Sequence, residues 1–240
     1  MRVAVLSDIH ANLPALDAVL VALVDVDAVW HLGDVVGYGP HPDEVVARLR
    51  EIGARGVRGN HDEAALGRLD VSYFNPAARR AVDWTSNRIA AETRTWLEGL
   101  PERAAMAGFT LVHGSPRDPV WEYVTTTPTA RACLGAFDTP HCLHGHTHVP
   151  AAWRDEDGRM DLIRPGDGSE LSLDGRRTLL NPGSVGQPRD GDPRAAALVL
   201  DTETARVTWR RVAYPIESVQ DDIRAAGLPS WLADRLATGD

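Results

Sequence analysis

The chain contains no lysine, so all of its 25 basic residues are arginine. This absence excludes three kinds of active site that depend on a lysine side chain: a lysine-containing phosphate-binding loop, a Schiff-base enzyme and a serine–lysine dyad. Cysteine is almost as rare, because Cys133 and Cys142 are the only two. Two cysteines are too few for a disulfide framework, and we expect both thiols to be buried as small apolar side chains.

Long apolar runs are also missing, and none is long enough to span a bilayer. The apolar run at residues 3–6 reaches Asp8 at once and is too short for a signal peptide. We therefore expect a cytoplasmic protein without a membrane partner. The net charge is −9, so the chain has no overall basic surface and nucleic acid is not an expected partner.

What remains is the composition of an ordinary globular protein of 240 residues, with 43% hydrophobic and 25% charged residues. Apolar strands are predicted at residues 2–6, 28–32, 56–58 and 109–112. The first three alternate with helices, which predicts a parallel sheet with helices outside it. Residues 63–100 are predicted to form a mostly helical insertion, residues after 150 to form hairpins, and residues 215–240 to be helical. No repeat or linker interrupts the pattern, so we predict one domain over residues 1–240.

The most unusual stretch is the run His144-Gly145-His146-Thr147-His148. If this run is extended, its three imidazoles lie on one face of a strand, because side chains at i and i+2 point the same way. Several nitrogen ligands on one side could bind a transition metal. A histidine-rich surface turn is the alternative, and on spacing alone the three histidines are equal candidates.

Metal-type ligands also follow the other apolar strands. In chain order the full set is Asp8, His10, Asp34, Asn60, His61, His113, His146 and His148. The carboxyl ends of parallel strands meet at one edge of a sheet, where α/β proteins bind ligands. A mixed imidazole and carboxylate set without thiolate suits manganese, iron, zinc or nickel. The set exceeds what one ion needs, and two ions about 3.5–4 Å apart fit better.

The series Asp8-Ile9-His10, Gly33-Asp34, Gly59-Asn60-His61-Asp62, His113 and Gly145-His146-Thr147-His148 resembles the calcineurin-like metallophosphoesterases, and the likeness covers residues 3 to about 190. The resemblance implies an α/β fold: a four-layer α-β-β-α sandwich of two mixed sheets flanked by helices, with a dinuclear metal site at the strand ends. It implies that Asp8, His10 and His148 hold one metal. It assigns Asn60, His113 and His146 to the second metal and makes Asp34 the bridge, with manganese favoured.

The resemblance further implies a metal-dependent hydrolase of phosphate esters. In this hypothesis a metal-bridging hydroxide attacks phosphorus in line. His61, oriented by the adjacent Asp62, protonates the leaving oxygen or stabilises charge beside it. The loop at residues 181–188, with the segment 210–214, is similar to a bacterial subgroup of compact phosphodiesterases and diadenosine-polyphosphate hydrolases. A small phosphate ester or nucleotide is therefore the expected substrate.

One departure from the family concerns phosphate binding. Many relatives carry an acidic–arginine pair shortly after Gly-Asp, whereas this chain reads Val35-Val36-Gly37-Tyr38. Contacts to phosphate must then come from other cations or be absent. The candidates are Arg58, Arg117 and Arg189, each of which is otherwise a surface charge, and His41, which could instead begin a helix. The remaining histidines are assigned other positions: His31 in the core or behind Asp34, His141 at the surface and His144 at the strand end or behind the ligands.

Three other functions compete with a diesterase. The first is a phosphomonoesterase, including a protein phosphatase. The second is a protein-binding scaffold without activity, as in a retromer subunit that shares the fold; the presence of His61 beside a complete ligand set argues against it. The third is a nuclease, which the acidic charge balance disfavours. The sequence leaves the oligomeric state open.

Overall fold

A computed structural model describes residues 1–240, which fold around two six-stranded sheets. The strands in chain order are β1 Arg2–Leu6, β2 Ala28–His31, β3 Arg55–Gly56, β4 Arg103–Met106, β5 Phe109–Val112, β6 His141–Leu143, β7 Ala151–Glu156, β8 Arg159–Ile163, β9 Glu170–Ser172, β10 Thr178–Asn181, β11 Ala195–Asp201 and β12 Arg206–Val212. The helices are α1 Leu13–Ala22, α2 Pro42–Glu51, α3 Asn60–Ala65, α4 Pro76–Ser86, α5 Ala91–Gly99, α6 Thr127–Cys133, α7 Ile216–Ala225 and α8 Ser230–Asp234.

Both sheets mix parallel and antiparallel pairs. The first has the order β3-β2-β1-β11-β12-β9, and the second has the order β4-β5-β6-β10-β7-β8. In the first sheet β1, β2 and β3 are parallel to one another. In the second, β6 is parallel to both β5 and β10. The loops after these parallel strands carry the predicted metal ligands.

Side-chain alternation along the strands places each sheet between two layers. Val3 and Val5 of β1 lie in the apolar core between the sheets. Ala4 and Leu6 point the other way, into a core shared with α1, α2, α4 and α7. The second sheet also lies between two layers. Some side chains of its strands face the core between the sheets, and others pack on α6. The predicted four-layer sandwich is confirmed.

Local signals explain where the helices begin. The side chain of Asn12 accepts a hydrogen bond from the Ala15 amide at 3.2 Å and caps α1. Asn75 does the same for α4 through the Ala78 amide at 2.9 Å. Each cap satisfies an amide that has no partner within its helix. None of the helices combines the length and apolar character required to cross a membrane.

Several predictions need correction. The strand β4 was not predicted; it forms a hairpin with β5. The third strand covers Arg55–Gly56 rather than residues 56–58. His141 was predicted to be exposed, which is wrong: it begins β6, is 7% exposed and packs on Phe109 with ring centroids 5.3 Å apart. Its apolar neighbour across β5 and β6 explains why the ring lies inside.

Both cysteines have the predicted environment. Cys133 ends α6 and Cys142 lies in β6, and neither is exposed. Burial raises the pKa of the Cys133 thiol to about 11. The protonated thiols therefore pack as small apolar groups, and neither belongs to the histidine–carboxylate site.

Candidate metal centre

Buried side chains from the loops after the parallel strands meet in two overlapping groups. One contains Asp8, His10, Asp34 and His148, and the other contains Asp34, His113 and His146. Within each group, one potential ligand atom of every residue lies within 4.8 Å of the others. Asp34 belongs to both groups. The two groups therefore form one continuous site with a carboxylate at its centre.

Distances around Asp34 show how the groups join. Its Oδ2 atom lies 3.6 Å from His10 Nε2 and 3.3 Å from His113 Nε2. The Oδ1 atom of Asn60, at the start of α3, lies 2.9 Å from the same nitrogen of His113 and adds an amide oxygen to the second group. Every residue of the predicted ligand set is thus brought to this site.

Backbone carbonyls fix the orientation of the four imidazoles. His10 Nδ1 donates to the Val36 carbonyl at 3.2 Å, and His113 Nδ1 donates to the Leu32 carbonyl at 2.8 Å. Because one nitrogen of each ring carries the donated proton, the other nitrogen points into the site and can offer its lone pair to a metal ion that displaces any proton held there. This arrangement is typical of metal-binding histidines.

The histidine run repeats this arrangement. His146 Nε2 donates to the Trp121 carbonyl at 3.1 Å, and His148 Nδ1 donates to the Gln187 carbonyl at 2.6 Å. Their free nitrogens face other acceptors: His146 Nδ1 lies 3.0 Å from His113 Nε2, and His148 Nε2 lies 3.2 Å from His10 Nε2. Lone pairs at such distances repel unless a cation or a proton lies between them.

The chemistry of the donor set fits metal ions. The buried Asp8 Oδ1 accepts no hydrogen bond and lies 3.2 Å from His148 Nε2, and a buried carboxylate oxygen without a cation or donor is costly inside a protein. A cation coordinated by this oxygen and by the converging nitrogens would satisfy all of them. Nitrogen and carboxylate ligands without thiolate suit a divalent transition metal.

The backbone at the ligands is left-handed rather than extended. The φ angles are 52° at Asp8, 49° at His10, 49° at Asp34, 65° at His146 and 60° at His148. Residues other than glycine adopt such angles rarely and at a cost. The strand β6 ends at Leu143, so turns, and not the alternation of a strand, aim His146 and His148 at the site.

His61 lies beside the site without joining either group of ligands. Its backbone amide donates to Asp34 Oδ1 at 2.8 Å, and its ring packs on Tyr38 and His10 at centroid distances of 4.3 and 4.8 Å. Its Nδ1 atom is buried and has no hydrogen-bond partner in the protein. This nitrogen is packed against Gly37, because a Cβ at residue 37 would lie 2.5 Å from it.

Asp62 does not orient His61 through a hydrogen bond. Its two carboxylate oxygens accept from the amides of Val36 at 3.0 Å and Gly59 at 2.9 Å. Burial, with a contribution from the charge of Asp34, raises the pKa of Asp62 to about 7. Asp62 therefore connects the loop after Asp34 to the start of α3, which fixes the position of His61 through the backbone.

Burial and the neighbouring charges set the other pKa values of the metal-free site. Burial alone would raise the pKa of Asp34, but His113 and His61 bring it below the usual range of an aspartate. Burial tends to lower the pKa of His113, and Asp34 outweighs it and raises that pKa to about 9. Burial lowers the pKa of His61 to about 4. Asp34 is thus an anion that attracts cations from both sides.

Of the predicted substrate contacts, Arg189 lies beside the site. Its Nη2 atom donates to Gln187 Oε1 at 2.8 Å, and its guanidinium lies over the Tyr38 ring at 5.8 Å from the centroid. The other predicted contacts are already engaged elsewhere. Arg58 pairs with Glu63 and with the Leu100 carbonyl.

The other two residues lie at the surface. The guanidinium of Arg117 is 3.6 Å from Glu122. His41 precedes the first residue of α2 without a side-chain hydrogen bond to the helix, and its Nε2 atom lies 3.5 Å from Asp222. Both positions match the non-binding alternative for these residues more closely than a contact with substrate.

The other histidines lie outside the ligand groups. His31 is fully buried in β2 against Trp96, with ring centroids 5.6 Å apart. His144 is buried and lies 3.4 Å from the amide nitrogen of Asn181. It is not part of either ligand group, so the run contributes His146 and His148 alone.

Sequence reasoning missed the groups that support the ligands. Carbonyls of Leu32, Val36, Trp121 and Gln187 carry no signal in the sequence, because every residue has one. A steric role for Gly37 was missed as well. A Cβ at this position would lie 2.5 Å from His61 Nδ1, and the backbone has φ +92°. A glycine at position 37 is therefore required by the close approach of His61.

Comparison with known proteins gives one consistent result. A family model described as the calcineurin-like phosphoesterase superfamily domain matches residues 1–205. A metallophosphoesterase of known structure from Sphaerobacter thermophilus is 47% identical, with a TM-score of 0.92 over 100% of this chain and 99% of that chain. An uncharacterised protein of Methanocaldococcus jannaschii is 35% identical over 99% of this chain and 98% of its own length.

Several curated relatives carry the name of an activity. Phosphodiesterase YfcE of Escherichia coli is 26% identical over 86% of this chain and 91% of its own length. A symmetrical bis(5'-nucleosyl)-tetraphosphatase of Aromatoleum aromaticum is 29% identical over 58% of this chain, a match that spans 53% of that protein.

Proposed function

This chain belongs to the calcineurin-like phosphoesterase superfamily and is a metal-dependent hydrolase of phosphate esters, and from that premise we propose that it cleaves phosphodiesters or dinucleoside polyphosphates with two transition-metal ions bound. The observation that carries the proposal is the pair of ligand groups that share Asp34. A carboxylate common to two groups is suited to bridge two ions. Manganese is the metal we favour.

The ligands divide between two ions. We assign Asp8, His10 and His148 to one ion, and Asn60, His113 and His146 to the other, with Asp34 touching both. When bound, such metals supply hydroxide at neutral pH and neutralise the charge that develops on the phosphoryl oxygens. The four histidines and their carbonyl partners hold this geometry before substrate arrives, so little reorganisation is required during the reaction.

His61 and Arg189 act on the substrate rather than on the metals. The ring of His61 lines the same cavity as Arg189 and, as a neutral imidazole, is suited to donate a hydrogen bond to the oxygen of the leaving group as its bond to phosphorus breaks. Assistance of this kind is typically worth about 10²–10⁴-fold in rate. Arg189 provides a positive charge next to Tyr38 and takes the place of the arginine that relatives carry after Gly-Asp. Arg58, Arg117 and His41 are left as weaker candidates.

Turnover on a defined set of substrates tests the proposal. The full chain would be stripped of metal, reloaded separately with Mn²⁺, Fe²⁺, Zn²⁺ or Ni²⁺, and assayed on an aryl phosphodiester, an aryl phosphomonoester and a dinucleoside tetraphosphate. We expect cleavage of the diester or the dinucleoside compound, with the highest turnover in Mn²⁺.

The control is Asp34→Asn, which should fail to retain two ions by elemental analysis. Preference for the monoester would favour the phosphomonoesterase alternative. No turnover on any of the three substrates with both metals bound would favour a binding scaffold. Two fully occupied metal sites in Asp34→Asn would contradict the bridging role.

A further inference from the structure

A cavity of about 190 Å³ opens beside His61 and has an unusually aromatic lining. Its five aromatic residues are Tyr38, Tyr73, Phe74, Trp121 and Tyr123. We refer to it as the aromatic cavity. Asn60, His61 and Arg189 line the same cavity, so it is continuous with the proposed site of phosphate cleavage.

Three of the aromatic rings form a fixed inner wall. Phe74 and Trp121 are stacked at a centroid distance of 5.4 Å with their planes 21° apart. Phe74 also packs on His61 at 4.9 Å, and Tyr38 packs on the other side of His61 at 4.3 Å. The wall is therefore rigid and holds the ring of His61 between two aromatic side chains.

The other two rings lie at the mouth and are open to solvent. Tyr73 is 79% exposed and Tyr123 is 46% exposed. Tyr123 stacks on His146 at a centroid distance of 3.8 Å. Exposed aromatic side chains grouped at the rim of a concave site are typical of ligand binding, since each leaves a flat apolar face in water.

We propose that the aromatic cavity binds the nucleobase of a nucleotide ester, with Tyr73 and Tyr123 as the stacking residues. This inference rests on the proposed function, because the position of the phosphate is taken from the metal site. Aromatic side chains stack on any base without reading its edges. A ligand that places a base against Tyr73 presents its phosphate to His61 and Arg189, which line the same cavity.

The size and origin of the aromatic cavity define the ligand further. Pockets for whole drug-sized ligands are about 300–1,000 Å³, so 190 Å³ suits a single base rather than a complete dinucleotide. Tyr73 and Phe74 come from the helical insertion at residues 63–100. The insertion thereby has a function: it supplies one side of the nucleobase site.

Binding of a matched ligand pair tests the assignment. Adenosine 5'-monophosphate and ribose 5-phosphate carry the same sugar phosphate, and only the first has a base. Both would be titrated calorimetrically into the metal-loaded full chain. We expect the nucleotide to bind about 5–150-fold more tightly, the range given by stacking of one base.

Variants at Tyr73 separate stacking from other effects. Tyr73→Ala should reduce the preference for the nucleotide about tenfold while leaving the affinity for ribose 5-phosphate unchanged. Tyr73→Phe keeps the ring and is the matched control, so it should behave as wild type. Tyr123→Leu should also reduce the preference; its metal content is measured alongside, because Tyr123 stacks on His146.

The outcomes distinguish this inference from the proposed function. Equal affinity of the wild type for the two ligands would overturn the nucleobase site, as would an unchanged preference in Tyr73→Ala. If either result were accompanied by cleavage of an aryl diester, the proposed phosphodiesterase activity would be supported and the nucleobase site would not. A clear preference for the nucleotide, lost in Tyr73→Ala, without cleavage of any ester would support the site and contradict the proposed activity.

Discussion

At the scale of single residues, the metal centre is built from strained backbone. Five of the proposed ligands have φ between 49° and 65°, a conformation that costs a residue other than glycine about 1–3 kcal/mol. The strain has a geometric use: Asp8 and His10 on one loop, and His146 and His148 on another, each direct two side chains into one site. A strand would also place the two side chains of each pair on one face, but it would not make them converge on a shared centre.

Gly37 allows a direct test of the position of His61. A Cβ at residue 37 would lie 2.5 Å from His61 Nδ1, so Gly37→Ala should displace the ring and reduce turnover toward the level of His61→Ala. For His61→Ala we expect turnover to fall about 10²–10⁴-fold. Steady-state kinetics on a substrate with a poor leaving group, together with elemental analysis, would measure the effect. Both variants should retain two metals.

Gly53→Ala is the matched control for this experiment. Gly53 also has a left-handed backbone, with φ +63°, but nothing lies within 4 Å of a Cβ placed there. Gly53→Ala should therefore lower stability without lowering turnover. Wild-type turnover in His61→Ala would remove His61 from the mechanism, and wild-type turnover in Gly37→Ala would mean that the ring tolerates the displacement.

At the scale of elements, the sequence was most informative where buried strands end in polar residues. β1, β2 and β5 are short, apolar and followed by Asp8, Asp34 and His113, so the predicted site and the strands agree. β4 was missed because its sequence, Arg-Ala-Ala-Met, contains no β-branched or aromatic residue, and such a composition gives no strand signal. The contribution of the C-terminal helices was also missed, since a contact between residues 187 and 235 has no local pattern.

The C-terminal segment, residues 215–240, positions the proposed metal ligand His148 through two hydrogen bonds. Arg235 Nη1 donates to Gln187 Oε1 at 3.0 Å, and the Gln187 carbonyl accepts from His148 Nδ1 at 2.6 Å. Removing the guanidinium should loosen this carbonyl and weaken the metal bound by His148. Loss of groups that support a ligand typically costs about 10–100-fold in metal affinity. For Arg235→Leu we expect the metal affinity to fall about tenfold, the lower end of this range, because Arg235 acts through Gln187.

Competition with a chelator of known affinity would measure this effect on the full chain. Arg224→Leu is the matched control: Arg224 Nη2 pairs with Asp234 at 2.9 Å in the same helical segment and makes no hydrogen bond to Gln187. Its metal affinity should equal that of the wild type. Identical chelator resistance in Arg235→Leu and Arg224→Leu would show that the C-terminal segment does not position His148.

At the scale of the whole molecule, the metal centre joins the two sheets. Asp8, His10 and Asp34 follow strands of the first sheet, whereas His113, His146 and His148 follow strands of the second. The ligand groups cross this boundary, because His148 belongs with Asp8 and His113 belongs with Asp34. Metal binding should therefore stabilise the packing of one sheet on the other as well as the loops.

Removal of metal should consequently lower the melting temperature of the entire domain. A ligand present at 100 times its Kd stabilises the folded state by about 2.7 kcal/mol. For a chain of this size each kcal/mol shifts the melting temperature by about 2–4 °C, so a chelator should lower it by about 5–10 °C in a single cooperative transition. Differential scanning calorimetry of the metal-loaded and chelated protein would measure the shift. Asp34→Asn should show a smaller shift on chelation, because it retains fewer than two ions, and a shift equal to that of the wild type would place the stabilising metal outside this site.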